Sequence, residues 1–300
     1  MPGNDVLQRV ALATGVSLDV AVAGKPGDPA MIFLHGFPES HRTWRHQMAE
    51  FAADHFVIAP DQRGYARSDK PPEMGDYAVD RLLADLIALA DYFGIERFTL
   101  VGHDWGGAVA WMAALNRADR VERLVILNSP HPLIFQKSLF DDEDQRRASQ
   151  YIRAFRNPAL EAHIGEIGVE AYFDTVFTGH ADLALLAAER GNYVDEWRQP
   201  GALTGMFNWY RASRIIVPEM GENPPRPGFL EAPFPPIAVP VLIVWGMGDT
   251  ALKPCQLEGL EPLIPDLTVV RIDGAGHFVP WEAPAAVNSA IRNWFARAGG

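Results

Sequence analysis

The segment 101–107, Val-Gly-His-Asp-Trp-Gly-Gly, contains an aspartate where the chain changes from a strand pattern to a helix pattern. The helix-forming run 108–115 follows an apolar run, which predicts a sharp strand-to-helix turn centred on Asp104. Such a turn strains its central residue, so Gly102 and Gly106 are needed to leave room. A serine there would attack esters or amides, whereas a carboxylate attacks an electrophilic sp3 carbon and itself becomes an ester. The alternative interpretation is an aspartate that only caps a helix.

Two downstream side chains complete this chemistry. An ester on the protein must be hydrolysed by water, which requires a base and an acid that orients the base. Asp249 follows the apolar run 241–245, and His277 follows the run 267–272 between small residues. Taken alone, Asp249 could be a turn former and His277 an ordinary loop histidine. Because all three follow predicted strands, we predict that Asp104, Asp249 and His277 meet at one edge of a sheet, in the order nucleophile, acid, histidine that is typical of α/β-hydrolases.

A fourth element is the segment His35-Gly-Phe-Pro38, which follows the apolar run 31–34. We expect the backbone N–H of Phe37 to point to the same position as the backbone N–H of Trp105. Together they would form a two-donor oxyanion hole. The alternative interpretation is a simple Gly-Pro turn.

The apolar runs predict a mostly parallel sheet covered by helices on both faces. An early segment, 16–22, alternates apolar and polar residues and is typical of an antiparallel strand with one solvent-exposed face. The later runs are apolar on both faces, as in parallel strands, and helical patterns such as 80–93 and 285–298 separate or close them. The alternation predicts an α/β fold with a doubly wound, mostly parallel sheet. The predicted strand runs after the first are 31–34, 56–59, 98–101, 124–127, 241–245 and 267–272.

The alternation of apolar strand runs and helical patterns stops between residues 130 and 228. This stretch contains helical patterns and ends in a proline-rich segment that begins at Glu222. We predict a helical cap domain at 130–228 inserted into a core domain formed by 1–129 and 229–300. A disordered linker is the alternative, which the abundance of aromatic residues disfavours. The predicted cap helices are 145–155, 181–190 and 203–214.

Composition narrows the classes of partner. The formal net charge of −12, without any run of Lys and Arg, disfavours nucleic acid and acidic membrane surfaces. A single cysteine, Cys255, excludes an intramolecular disulfide and a thiolate metal cluster, and the nine histidines lack paired ligand spacing. We therefore expect no metal and no cofactor. No run of about 20 apolar residues and no signal-like start is present, which predicts a cytoplasmic protein without a membrane span.

Several segments together resemble one family over nearly the full length of the chain, the epoxide hydrolases of the α/β-hydrolase fold. The turn at Asp104 and the segment that begins at His35 are shared with haloalkane dehalogenases, whereas Asn208-Trp-Tyr-Arg211 is more specific. The segments that carry the resemblance are His35-Gly-Phe-Pro-Glu-Ser40, Asp61-Gln-Arg-Gly-Tyr-Ala-Arg-Ser-Asp69, Gly102-His-Asp-Trp-Gly-Gly107, Asn128-Ser-Pro-His-Pro132, Asn208-Trp-Tyr-Arg211 and Gly276-His277.

The resemblance implies two cap tyrosines that hydrogen-bond the epoxide oxygen. Tyr210 matches one of them and Tyr151 the other, with Tyr172 and Tyr193 as alternatives. A phenol suits this role because an epoxide leaves as a basic alkoxide, and a group with a pKa of about 10 can donate a proton while staying protonated at neutral pH. The expected substrates are a small-molecule epoxide and water, and the product is a vicinal diol. The resemblance is compatible with a homodimer, although the sequence indicates no interface.

Two other functions use the same residues differently. A haloalkane or haloacid dehalogenase would form the same ester on Asp104 but needs halide-binding donors, of which Trp105 is a candidate. One type of haloalkane dehalogenase has Asn where this chain has Phe37, and fluoroacetate dehalogenases have arginines where it has Trp105 and Ala108. A non-catalytic ligand-binding protein of this fold would be expected to lack Asp104, Asp249 or His277, and none of these is missing.

Overall fold

The computed structural model describes residues 6–181 and 183–298. Its central feature is one eight-stranded sheet. Its strands are, in chain order, β1 (Val6–Ala11), β2 (Ser17–Ala23), β3 (Ala30–Leu34), β4 (Phe56–Pro60), β5 (Phe98–His103), β6 (Val121–Leu127), β7 (Val241–Gly246) and β8 (Leu267–Ile272). The spatial order is β1-β2-β4-β3-β5-β6-β7-β8. From β4 to β8 all neighbours pair in parallel, whereas β1 and β2 are antiparallel to their neighbours.

Helices cover both faces of this sheet. Leu82, in the helix Val79–Tyr92, and Val109, in the helix Asp104–Asn116, lie in one hydrophobic core. Phe51 and Ile291 lie in a second core on the other side of the sheet. The prediction of a doubly wound, mostly parallel sheet is confirmed. The helices are α1 (Arg45–Phe51), α2 (Val79–Tyr92), α3 (Asp104–Asn116), α4 (Pro132–Asp141), α5 (Glu143–Ala148), α6 (Gln150–Phe155), α7 (Leu160–Ile167), α8 (Val169–Phe177), α9 (Leu183–Leu186), α10 (Arg190–Trp197), α11 (Ala202–Ala212), α12 (Val279–Glu282) and α13 (Pro284–Ala298). None of the described helices combines the length and apolar character needed to cross a membrane.

One strand was not predicted, and the bounds of some predicted helices differ from those observed. The strand that was not predicted is β1, an edge strand in which Arg9 pairs with Asp19 of β2. The single helix predicted at 145–155 is two helices that meet at Ser149. The helix predicted at 181–190 is shorter in the structure, because α9 ends at Leu186 and the next helix begins at Arg190. Leu186 of α9 packs into the core, and so do Tyr193, Val194 and Trp197 of α10.

The described residues between β6 and β7 form helices and loops but no strand. We call residues 130–228 the helical insertion. The indole of Trp209, on α11, donates to the carbonyl of Arg63 at 3.0 Å, and the indole of Trp197, on α10, donates to the carbonyl of Pro38 at 2.9 Å. These contacts hold the insertion over the edge of the sheet where the parallel strands end.

The loop after β4 is fixed in turn by a buried ion pair. The guanidinium of Arg63 contacts both carboxylate oxygens of Asp85 at 2.5 and 2.6 Å, and both side chains are almost fully buried. Thr14 donates to the same carboxylate at 2.6 Å. The pair therefore anchors the loop that receives α11.

We predict that Asp85→Ala lowers the free energy of unfolding by about 3–5 kcal/mol, because it leaves the Arg63 guanidinium buried and unpaired. Urea denaturation measures the change. The control is Glu143→Ala, which breaks an exposed 2.7 Å pair with Arg147 and should cost less than about 1 kcal/mol. Equal losses in the two variants would contradict the assigned importance of the buried pair.

Candidate active site

The turn between β5 and α3 holds Asp104 in a left-handed backbone conformation, with φ of 49°. Close packing requires glycine around it. A Cβ atom on Gly102 would lie 2.6 Å from the Cα of Gly107, and one on Gly106 would lie 2.0 Å from the carbonyl oxygen of Leu34. The strain at Asp104 is therefore maintained by backbone contacts that leave no space for larger side chains.

The structure brings the three predicted residues together at the carboxyl ends of β5, β7 and β8. Nδ1 of His277 lies 2.8 Å from Oδ2 of Asp249, and its Nε2 lies 3.8 Å from Oδ2 of Asp104. Because Asp249 engages one ring nitrogen, the other is directed to Asp104. The histidine thus stands between two carboxylates and can exchange a proton on the side of Asp104.

Asp249 is held by several donors that the sequence analysis did not identify. Asn128, at the end of β6, donates to its Oδ2 at 2.8 Å, and the amides of Ala251 and Leu252 donate to its Oδ1 at 2.9 and 2.8 Å. Burial acts to raise the pKa of Asp249, but His277 and these donors outweigh it and lower that pKa. Asp249 is therefore an anion with a fixed orientation. The location of Asn128 directly after an apolar strand run was the available sequence signal.

Two backbone amides hold the carboxylate of Asp104. The amide of Phe37 donates to Oδ1 at 2.8 Å, and the amide of Trp105 also hydrogen-bonds the carboxylate. Gly36 allows this approach, because a Cβ atom there would lie 2.3 Å from the Cβ of Asp104. Burial raises the pKa of Asp104, and the positive charge of His277 together with the two amides offsets only part of that increase.

The charges around His277 determine its protonation. Burial acts to lower its pKa, but the carboxylates of Asp249, Asp104 and Glu39 raise it to about 9. At neutral pH the free protein therefore contains an imidazolium next to the carboxylate of Asp104.

A buried pair behind the site was also missed by the sequence analysis. Oε2 of Glu39 lies 3.4 Å from Nδ1 of His103, and both side chains are fully buried. Nε2 of His103 lies 2.8 Å from the carbonyl oxygen of His277, and the indole of Trp281 donates to Glu39 at 2.7 Å. The pair links the turn at Asp104 to the loop that carries His277. Its signals were a glutamate directly after His35-Gly-Phe-Pro38 and a histidine directly before Asp104.

Two tyrosines of the helical insertion face this site. The ring of Tyr210, on α11, lies 5.2 Å from the ring of Phe37 and 5.0 Å from that of Trp105. Tyr151, on α6, lies 6.1 Å from Tyr210, ring to ring. Burial, with the negative charge of Asp104, raises the pKa of both phenols well above 10. Both are therefore protonated donors across the physiological pH range.

The alternative tyrosines lie elsewhere. Tyr172 packs against Trp197 and Phe207, and the hydroxyl of Tyr193 lies 3.5 Å from Glu39. The structure therefore brings Tyr151 and Tyr210, rather than these two, to Asp104. Within the described ranges, no three His, Cys, Asp or Glu side chains are grouped so that they could hold a metal ion.

Comparison with known proteins gives the same family as the residues of the site. The family model of the alpha/beta hydrolase fold matches residues 29–173 and 183–284. Epoxide hydrolase A of Mycobacterium tuberculosis is 32% identical to the chain over 317 residues, which covers 95% of each protein. The AB hydrolase superfamily protein YfhM of Bacillus subtilis is 36% identical over 279 residues, which covers 92% of this chain and 93% of that protein.

Solved structures of similar proteins indicate the same family. A structure from work on novel epoxide hydrolases in metagenomes from hot environments is 46% identical and superposes with a TM-score of 0.90, covering 97% of this chain and 99% of the other. A mutant of an epoxide hydrolase from Bacillus megaterium is 30% identical, with a TM-score of 0.84, and covers 96% of this chain and all of the other. With the site geometry and these matches, the chain belongs to the epoxide hydrolases of the α/β-hydrolase fold family.

Proposed function

We propose that this protein hydrolyses epoxides to vicinal diols through an ester on Asp104. The observation that supports this most is that the Asp104 carboxylate, the His277 imidazole and two protonated phenols lie together in one buried group. We further propose that residues 130–228 act as a cap that supplies Tyr151 and Tyr210. Residues 1–129 and 229–300 form the core domain that supplies the other groups.

In the first step Asp104 opens the epoxide ring. The amide of Phe37 occupies Oδ1, so Oδ2 is the oxygen available for back-side attack on the ring carbon. A C–O bond of the epoxide breaks while Tyr151 and Tyr210 both hydrogen-bond the departing oxygen, and one of the two phenols transfers its proton to the alkoxide. The product is a hydroxyalkyl ester whose carbonyl oxygen, Oδ1, remains in the oxyanion hole formed by the amides of Phe37 and Trp105.

In the second step water cleaves the ester. Alkylation removes the negative charge of Asp104, which is one of the charges that raise the pKa of His277 in the free protein. The pKa of His277 therefore falls after the first step, and the imidazole can release its proton, which restores the phenol that protonated the alkoxide, and then act as a base. It takes a proton from water, which attacks the ester carbonyl and releases the diol. Asp249 continues to orient and stabilise the imidazole.

This change in charge predicts that Asp104→Asn lowers the pKa of His277 below its value of about 9. NMR titration of the imidazole signals measures the shift. Intact-protein mass spectrometry confirms that the introduced asparagine has not deamidated to aspartate. His131 is an internal control, because burial alone lowers its pKa to about 4 and Asp104 does not contribute. An unchanged His277 midpoint would refute the proposed coupling.

We predict that Asp104→Ala abolishes turnover, whereas His277→Gln permits ring opening and traps the ester. The reason is that attack requires the carboxylate and hydrolysis requires the base. Intact-protein mass spectrometry after mixing with styrene oxide should show one substrate mass added to the His277 variant. The matched control is His163→Gln, on the exposed surface of α7, which should turn over normally. Steady turnover by His277→Gln, or the absence of any mass increase, would contradict the proposed roles.

The requirement for the two phenols distinguishes epoxide opening from halide displacement. We predict that Tyr210→Phe slows ester formation from epoxides by on the order of 10²-fold, and that Tyr151→Phe with Tyr210→Phe removes nearly all epoxide activity. Rapid-mixing measurements of ester formation test this, with Tyr172→Phe as the matched control. A dehalogenase would not need these protons, so faster release of halide from chloroalkanes than of diol from epoxides by the wild type would favour that alternative. Undiminished ring opening by the double variant would exclude both phenols as proton donors.

A further inference from the structure

The helix that carries Tyr210 contacts the core domain at a pair of glycines. Gly205, on α11, packs directly on Gly64, in the loop after β4. A Cβ atom on Gly205 would lie 2.7 Å from both the Cα and the carbonyl oxygen of Gly64. Because these are backbone atoms, they cannot rotate away, and the helix itself would have to retreat by several tenths of an ångström to restore ordinary contact.

The receiving side of this contact is equally constrained. Gly64 has φ of 91°, and a Cβ atom there would lie 2.7 Å from the ring of Tyr77 and 3.0 Å from the backbone of Gly205. The residue before it, Arg63, accepts the hydrogen bond from the Trp209 indole and is fixed by the buried pair with Asp85. The core loop is therefore fixed by its own contacts, and α11 packs on it so closely that neither glycine has space for a side chain.

This support is connected to the catalytic geometry through α11. Trp209 and Tyr210 follow Gly205 by about one turn of the same helix. The Tyr210 ring packs on Phe37 and Trp105, whose amides hold Asp104. A displacement of the helix at Gly205 must therefore change the distance between the phenol and an epoxide bound at Asp104.

We propose that the contact between Gly64 and Gly205 sets the position of Tyr210 for ring opening, so that both glycines are positioning residues. The proposal rests on the proposed function, in which the phenol of Tyr210 acts on the departing epoxide oxygen in the first step only. Misplacement of a reacting group by about 1 Å can reduce a rate by about 10²-fold. His277 and Asp249 are carried by the core domain, so the same displacement leaves the hydrolysis of the ester unaffected.

The test is Gly205→Ala, with the two chemical steps measured separately by rapid mixing with styrene oxide. Ester formation should slow by about tenfold or more, whereas hydrolysis of the formed ester should change by less than about twofold. The matched control is Gly165→Ala, in the cap helix α7, where a Cβ atom meets nothing within 4 Å. Both changes raise helix propensity equally, so the control should leave both steps at the wild-type rate.

A double-mutant cycle distinguishes positioning from general damage. In the Tyr210→Phe background, Gly205→Ala should cause little further loss of ester formation, because the group that it displaces has already been removed. An undiminished rate of ester formation in Gly205→Ala, an equal loss in both steps, or full additivity with Tyr210→Phe would each overturn the proposal.

If Gly205→Ala does not fold, Trp209→Phe tests the same support by removing the hydrogen bond to Arg63, with the same expected selectivity for the first step. Failure of the proposed function gives a different result. In that case the wild type itself forms neither an ester nor a diol from the epoxide.

Discussion

A buried carboxylate next to a buried imidazolium is the interaction on which this site depends. Burial raises the pKa of Asp104, and a protonated carboxyl group would not attack carbon. The positive charge of His277 and the two backbone amides act against this effect. In return, Asp104 contributes to holding the pKa of His277 at about 9. Each group therefore favours the charged form of the other. In the proposed mechanism, alkylation removes the charge of Asp104 and so changes the chemistry available to His277.

The fold brings these charged groups together because the strands that precede them end at the same edge of the sheet. Asp104, Asp249 and His277 follow β5, β7 and β8, which run parallel in the sheet with β6 between β5 and β7, so all three strands end at the same edge. Local strain at Asp104 is balanced by the close contacts of Gly102 and Gly106, which only a backbone without side chains can make. Rigid strands and strained turns thus fix the groups whose positions must be accurate to a fraction of an ångström.

Part of this arrangement was predictable because its signals are local. A glycine-rich turn after an apolar run identified Asp104. Small residues that follow apolar runs identified Asp249 and His277 in the same way. The sequence shows Glu39 and His103 next to two of these motifs, but it does not show their contact, since the two residues are far apart in the sequence and become neighbours only when the sheet forms. The strand β1 and the helix α10 were missed for the same reason. Their apolar patterns are short, and partners elsewhere in the chain determine their conformation.

The proposed mechanism divides its two steps between two parts of the chain. Ring opening requires a proton donor over the substrate, and the phenols of Tyr151 and Tyr210 come from the helical insertion. Ester hydrolysis requires a base and an oriented acid, and both come from loops after the parallel strands. The contacts that join the insertion to the core, such as Trp209 with Arg63, therefore govern the first step more than the second. In the proposed mechanism, a change in the insertion alters which epoxides are opened, while the groups that cleave the ester stay the same.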